Sequence, residues 1–359
     1  MESWITIKRG KEMSKETSVK ISYGMFISCI VIVLHHSVGD VFYDVGIWGG
    51  VIEYLHEGLF SFSMPFFFFW SGYFMMQKAQ KEDIQHIIST KMRSLVIPYF
   101  AWNTIWTLFA VMLALIPLNI FSKSAVFVWD GKTVSILKGI TLYQYNGQYW
   151  YLFQLIILTI FCKLIQRIVE NRKLYVTVIL LLLAICTIDT KVGFFSIEGL
   201  VCYLLGGFYS RNYEDPKLMK IRDNLNTLPK LAYPLSLIVL TVIITVSYET
   251  IPEYVLMIEN LIACFLFWNC LDYFKHLKVY GWMEIYFFIY SFHETPQLII
   301  NKLFSVTVPL TGYAAALINT ITGAVLTILV AELLAKILMT FSPKIWMILN
   351  GRRKFINSK

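Results

Sequence analysis

The sequence predicts an all-α fold, a polytopic membrane helical bundle of about ten transmembrane helices with both termini cytoplasmic. Hydrophobic residues make up 57% of the 359-residue chain and charged residues only 15%, whereas soluble domains are about one quarter charged. The mean hydropathy of +0.62 agrees with this class. The third observation is the sorting of lysine and arginine between alternate loops, which also predicts the orientation.

A transmembrane helix needs about twenty mostly apolar residues. On this basis ten spans are predicted at 20–38, 59–77, 94–117, 149–168, 174–190, 194–210, 231–248, 254–271, 282–302 and 314–340. The fifth and sixth spans meet at an expected tight turn, Asp189-Thr190-Lys191. We predict one membrane domain over 1–359, with a cytoplasmic tail at 1–19, spans within 20–340 and a basic tail at 341–359.

The distribution of charge supports this layout. With a cytoplasmic N-terminus, the inner segments carry 26 of the 31 lysines and arginines. The outer loops carry acidic residues instead, among them Asp40, Asp44, Glu53 and Glu57. This asymmetry follows the positive-inside rule. We therefore assign the net charge of +8 to membrane topology and predict no nucleic-acid partner, because no basic stripe with interleaved aromatic residues occurs.

Several common kinds of site are absent from the sequence. The six cysteines lie in apolar runs without a C-x-x-C pair, which predicts neither a disulfide framework nor a zinc site. Nucleotide-binding glycine loops and the G-x-S-x-G motif do not occur. His293-Glu294 is followed by Thr295-Pro296, so the zinc-protease motif H-E-x-x-H is not completed. We predict no metal.

Two predicted spans contain histidines at membrane depth. His36, preceded by His35, follows the apolar run of the first span, and His293 lies within the ninth. Ionisable side chains in a membrane are costly, so their presence indicates function. Both spans run outward, and the two imidazoles could share one cavity. The alternative is that each ring only bonds a backbone carbonyl between helices.

Lys91 and Arg93 lie just before Pro98, at the predicted inner mouth of the bundle. They are candidates for phosphate binding, because arginine makes forked hydrogen bonds to phosphate and lysine acts as a point charge. Composition alone favours the alternative, ordinary inside-positive anchoring with contacts to anionic lipid.

Three further polar groups could support a site. In the aromatic second span, Ser71-Gly72 would let a neighbouring helix approach closely. The fourth span begins with Gln148-Tyr149-Trp150-Tyr151. These residues could anchor the helix at the membrane interface, form a platform that faces a sugar, or donate and accept hydrogen bonds at the site. Glu294 could orient an imidazole from an adjacent span or tune its proton affinity. Alternatively, it bonds a polar group on another helix.

The order and spacing of five sequence blocks resemble those of the acyltransferase 3 family of bacterial membrane acyltransferases, over nearly the whole chain. The blocks are Val33-Leu34-His35-His36-Ser37, Pro65-Phe66-Phe67-Phe68-Phe69-Trp70-Ser71-Gly72-Tyr73, Lys91-Met92-Arg93-Ser94-Leu95-Val96-Ile97-Pro98-Tyr99 with Trp102, Gln148-Tyr149-Trp150-Tyr151-Leu152, and Phe287-Phe288-Ile289-Tyr290-Ser291-Phe292-His293.

The resemblance implies transfer of an acyl group, usually acetyl from acetyl-CoA, to a hydroxyl of a glycan or another envelope molecule at the bacterial plasma membrane. It implies that His36 is the essential histidine and that Lys91 and Arg93 handle the CoA. A neutral imidazole can take the proton of an attacking hydroxyl or carry the acyl group transiently. We assign to His36 the role of the base that takes the proton. His293 would be a second base, an acid or an oxyanion donor.

One position departs from the family pattern. Many members carry arginine or lysine eleven residues before the histidine, where this chain has Met25. Lys20, Lys91 or Arg93 would have to replace that residue. The main alternative function is a proton-coupled transporter or flippase of a glycan or small molecule, although no internal repeat or matching pair of broken spans favours it. A non-catalytic assembly or sensory subunit is the other.

Overall fold

The computed structural model describes residues 13–37, 46–115, 128–192, 195–213, 215–307 and 313–353. These residues are about 84% helical with almost no strand, which confirms the predicted all-α class. Most of the predicted N-terminal tail, the end of the C-terminal tail, and Asp40 and Asp44 of the first outer loop lie outside the described residues.

In chain order, the α-helices of the described residues are α1 (Lys15–Ser37), α2 (Gly46–Glu53), α3 (Ser63–Lys81), α4 (Ile84–Lys91), α5 (Ile97–Leu115), α6 (Thr133–Leu142), α7 (Trp150–Ile160), α8 (Cys162–Glu170), α9 (Arg172–Cys186), α10 (Ile197–Asn212), α11 (Pro216–Asn226), α12 (Ala232–Ser247), α13 (Glu253–Cys270), α14 (Tyr286–Phe292), α15 (Glu294–Thr307), α16 (Tyr313–Phe341) and α17 (Pro343–Leu349).

Shorter elements connect some of these helices. Five-residue π-helical turns lie at Tyr54–Gly58 and Met92–Val96, and 3-10 turns at Phe60–Phe62, Gly147–Tyr149, Leu271–Tyr273 and Gly281–Ile285. A short antiparallel β-hairpin joins α9 to α10, and its strands β1 (Lys191–Val192) and β2 (Phe195–Ser196) are two residues long each. Lys191 lies opposite Ser196, and Val192 lies opposite Phe195.

Within the described residues, every predicted span falls largely on a helix or on consecutive helices. Among the described residues, five helical stretches are long and apolar enough to cross a membrane: Lys15–Ser37, Gly50–Lys81, Ile84–Leu115, Glu253–Tyr273 and Ala315–Phe341. The pair α7 and α8, bent by 71°, makes a sixth if it acts as one span. The other predicted spans coincide with shorter helices, so the number of ten spans and the orientation of the termini stay predictions.

Side-chain caps explain where several helices begin. The Asp83 carboxylate accepts the His86 N–H at 2.7 Å at the start of α4. Asn171 accepts the N–H groups of the second and third residues of α9, at 3.1 and 3.2 Å. The Ser196 hydroxyl accepts the Gly199 N–H at 3.0 Å at the start of α10. Each cap satisfies donors that the first helical turn leaves without a partner.

Helices α3 and α10 cross with their backbones in contact. A Cβ atom on Gly72 would overlap the carbonyl group of Tyr203, and one on Gly206 would overlap that of Phe69. The expected close approach at Ser71-Gly72 is therefore confirmed. The aromatic side chains of α3, such as the fully buried Phe66, lie largely in the core of the bundle.

Replacing Gly72 by valine is expected to destabilise the fold by about 1–3 kcal/mol or more, because the new side chain overlaps backbone atoms that cannot rotate away. A lower melting temperature of the detergent-solubilised protein would report this loss. Gly50→Val is the control, since a Cβ at Gly50 meets nothing within 4 Å. Equal melting temperatures for the two variants would contradict the close crossing.

The ninth predicted span, 282–302, is divided rather than continuous. The 3-10 turn at Gly281–Ile285 leads into α14, and α15 follows after a break at His293. Pro296 explains the break, because it has no N–H to offer the carbonyl of Phe292, four residues earlier, and its ring crowds that carbonyl. His293 therefore lies at an interruption of the helix, where its surroundings differ from those of a regular turn.

Candidate active site

The two histidines predicted to carry function lie side by side. The last turn of α1 and the break between α14 and α15 bring the ring centroids of His36 and His293 to 5.1 Å. His293 is fully buried at 0% exposure, and His36 is half-buried. The pair therefore belongs to the interior of the bundle, as the positions of the two residues in the predicted spans indicated.

One hydrogen bond fixes the orientation of the His293 ring. Its Nδ1 atom lies 2.7 Å from the carbonyl oxygen of Tyr290. A carbonyl only accepts, so Nδ1 donates, and in a neutral ring Nε2 is then the acceptor. Nε2 is buried and has no hydrogen-bond partner among the described residues. The ring therefore bonds a backbone carbonyl within its own helical segment and not, as the alternative interpretation had it, one between helices, and this bond leaves one basic nitrogen unused.

A polar stripe that sequence reasoning missed holds the two histidine-bearing helices together. The Gln297 side chain donates to the Val33 carbonyl at 2.5 Å, and Asn301 donates to the Ser37 carbonyl at 3.2 Å. With His293, these residues repeat every four positions, so they share one face of the helix. That spacing of polar residues in an apolar span was the signal available in the sequence.

His35 has a packing role beside the pair. Its ring stacks between those of His56, at 4.0 Å, and Phe60, at 4.1 Å, and its Nδ1 atom bonds the His56 carbonyl at 2.7 Å. The ring also meets His36 edge-on at 4.8 Å. These contacts fix the end of α1 from one side. They support the predicted place of His35 next to the site.

The same region brings together three groups that bind metals in other proteins. The ligand atoms of His35, His56 and Glu57 lie within 4.8 Å of one another. However, the two imidazole rings stack with only 7° between their planes, and the lone pairs of ring nitrogens lie in those planes. Since zinc-bound nitrogens converge on one ion at about 2.0–2.1 Å, this arrangement does not fit a shared metal.

A cavity of about 170 Å³ lies near the histidine pair, although neither histidine is among the residues that line it. Tyr290 lines the cavity, and its ring centroid lies 6.0 Å from that of His293. Of the predicted site residues, Lys91, Ser71 and Tyr151 line the cavity, and the hydroxyls of Ser71 and Tyr151 are hydrogen-bonded at 2.9 Å. Three scattered sequence blocks thus contribute to one space.

Other predicted site residues lie elsewhere. Arg93 is exposed, and it does not line the cavity. Trp150 is half-buried and packs on Phe68 at 5.8 Å between ring centroids. Glu294 accepts the backbone N–H of Gln148 at 3.2 Å, so it holds the turn before α7. Of the alternatives given for Glu294, the bond to a polar group on another segment is the one observed.

Met25, which stands where many family members carry a basic residue, lines the cavity. The three residues proposed to supply the missing positive charge can therefore be compared by their positions relative to this cavity. Lys20 forms an ion pair with Asp272 at 2.8 Å and lies over the Trp268 ring, in a different cavity of about 390 Å³. Only Lys91 of the three candidates faces the same cavity as Met25.

A second cation in this cavity comes from the C-terminal segment. The sequence predicts only a basic tail over 341–359, but the structure forms α17 there and brings Arg353 into the cavity lining. The Arg353 guanidinium lies 3.4 Å from the centroid of the Phe287 ring. No local pattern predicted this contact, because the two residues are far apart in the chain.

Comparison with known proteins identifies the family of the chain. The model of the acyltransferase 3 family, an acyltransferase domain, matches residues 21–331, which is nearly the whole chain. Neither a curated protein nor a solved structure matches the chain. The matched region contains both histidines and Lys91. Together with its apolar helices, this match shows that the chain belongs to the acyltransferase 3 family of membrane acyltransferases.

Proposed function

We propose that this protein is an O-acyltransferase of the bacterial plasma membrane. It would move an acyl group, acetyl in the first instance, from cytosolic acyl-CoA to a hydroxyl of an envelope glycan or a related cell-surface molecule. Membership of the acyltransferase 3 family supports the reaction class. The observation that carries the proposal is the close pair of His36 and His293, next to Tyr290 in the lining of a cavity that holds two cations.

The chemistry requires one base and one acid in turn. A neutral His36 takes the proton from the acceptor hydroxyl as its oxygen attacks the thioester carbonyl carbon. The new ester C–O bond forms, and the C–S bond breaks as the tetrahedral intermediate collapses. The CoA thiolate leaves and receives the proton from the imidazolium, so the base is regenerated. If His293 is neutral, its unused Nε2 can accept a hydrogen bond from a second hydroxyl of the acceptor and hold that molecule near His36.

We infer that the donor approaches this pair through the cavity, whose lining includes Tyr290 but neither histidine. Met25 lines the cavity and lies eleven residues before His36 on the same helix, a separation of roughly 16 Å at 1.5 Å per residue. Lys91 and Arg353 lie among the lining residues, as does Tyr290 beside His293. With cytoplasmic termini, the acyl arm would enter from the basic end and reach an acceptor that approaches from outside.

Turnover by the purified full-length protein tests this function. In nanodiscs with acetyl-CoA and a panel of oligosaccharides, we expect acceptor-dependent release of free thiol and a mass gain of one acetyl group on the acceptor. Acetyl-CoA should also raise the melting temperature, and replacing it by succinyl-CoA examines the choice of acyl group. A transporter would release no thiol and would gain no stability from the thioester, and that result would exclude an acyltransferase.

A further inference from the structure

Two cations face the cavity without an anionic partner. Lys91 and Arg353 both line it, and no carboxylate does among the described residues. In that part of the chain, neither cation takes part in an ion pair. They also repel each other electrostatically. Charges removed from water are costly unless they are compensated, so the pair is suited to hold an anion between its members.

A helix-ending turn aims Arg353 at the cavity. After α17, the Arg352 N–H bonds the Met347 carbonyl at 2.8 Å and the Gly351 N–H bonds the Ile348 carbonyl at 3.3 Å. This is the hydrogen-bond pattern of a Schellman motif. Gly351 and Arg352 adopt left-handed φ angles of 62° and 54°. The chain therefore turns back toward the bundle immediately before Arg353.

The turn needs glycine for a second reason. A Cβ atom on Gly351 would overlap the Arg353 Nη1 atom and would lie 2.6 Å from the Ser94 carbonyl oxygen. The helix before the turn is itself anchored, because the Trp102 indole donates to the Leu349 carbonyl at 3.0 Å. The position of Arg353 is thus set by packing on both sides and does not depend on a ligand.

The guanidinium is held on one edge and available on the other. Its Nη1 donates to the Asn350 carbonyl at 3.0 Å and to the Ser94 carbonyl at 3.3 Å. Its flat face lies on the Phe287 ring at 3.4 Å, a cation–π contact. The guanidinium also hydrogen-bonds the Tyr286 side chain, and Arg353 lines the cavity. An oriented guanidinium with unused donors is well suited to forked hydrogen bonds with phosphate.

We propose that Arg353 and Lys91 together bind the phosphate groups of the acyl donor, with Arg353 supplied by the C-terminal turn. This inference rests on the proposed function and replaces Arg93 by Arg353 as the partner of Lys91. Arg353 lies beyond residue 331, where the family match ends, so membership of the family does not assign it a role. The ligand class is a phosphorylated thioester carrier, recognised at its phosphates.

Equilibrium binding of unacylated coenzyme A tests the proposal without turnover. The full-length protein in phosphatidylcholine nanodiscs is compared with Arg353→Gln, Arg353→Lys and Lys91→Gln. We expect each glutamine variant to weaken binding about tenfold or more, because a hydrogen bond to a charged group is lost, and Arg353→Lys to recover part of it. Arg352→Gln, one residue away and exposed, should bind as the wild type does.

A second probe separates phosphate recognition from general damage. Pantetheine, which carries no phosphate, should bind the wild type and Arg353→Gln equally well. Unchanged coenzyme A affinity in Arg353→Gln would overturn the inference and leave the proposed function intact. If Arg353→Gln changes only the binding of phosphatidylglycerol, the pair holds a lipid headgroup and the inference is wrong. A wild-type protein that binds no coenzyme A would remove the proposed function as well.

Discussion

Replacing His36 by alanine is expected to lower the rate of acyl transfer by about 10²–10⁴-fold, the usual contribution of a positioned general base. The ring is half-buried and lies 5.1 Å from that of His293. The measurement is thiol release from acetyl-CoA at saturating acceptor, together with coenzyme A binding. Binding should change little, because His36 does not line the cavity that contains Lys91 and Arg353.

A matched control separates this effect from loss of histidine in general. His86 lies at the start of α4 with 66% of its side chain exposed, so His86→Ala should keep full activity. The melting temperature of His36→Ala reports whether the bundle is intact. Undiminished transfer by a folded His36→Ala protein would show that the base is another group.

The positions of the helices could be predicted because the membrane imposes a simple pattern. Apolar windows and the sorting of charge placed helices where the structure has them, and the cost of an ionisable group at membrane depth singled out His36 and His293. Hydropathy could not show that the ninth span is interrupted, since apolar residues flank the short stretch from His293 to Gln297 on both sides. The signal for the interruption was Pro296, which leaves the carbonyl of Phe292 without its usual hydrogen-bond donor.

The composition of the site was harder to predict, because it depends on contacts distant in sequence. Arg353 bonds Ser94, a residue 259 positions earlier, and nothing in a basic tail indicates such a partner. Conversely, Lys91 and Arg93 are both basic residues of the same short segment, but only Lys91 lines the cavity. Two residues apart on a helix, their side chains point in different directions, and the sequence alone did not tell which direction was inward.

The second large effect expected is non-additive loss of activity in a double variant. His293→Gln should lower the transfer rate by about 10²-fold if the two rings act on the same proton transfer. In that case His36→Ala combined with His293→Gln should be little slower than His36→Ala alone, because groups that work as a unit are not lost twice.

Residues that act independently should instead multiply their effects. Arg353→Gln, placed in donor binding, provides that comparison when it is combined with His36→Ala: the loss of coenzyme A affinity should be the same in both backgrounds. Rates of all single and double variants, measured at equal saturation with acetyl-CoA, give the two cycles. Multiplicative losses for His36 and His293 would mean that the rings serve separate steps, and His293 would then be a positioning residue rather than part of the proton transfer.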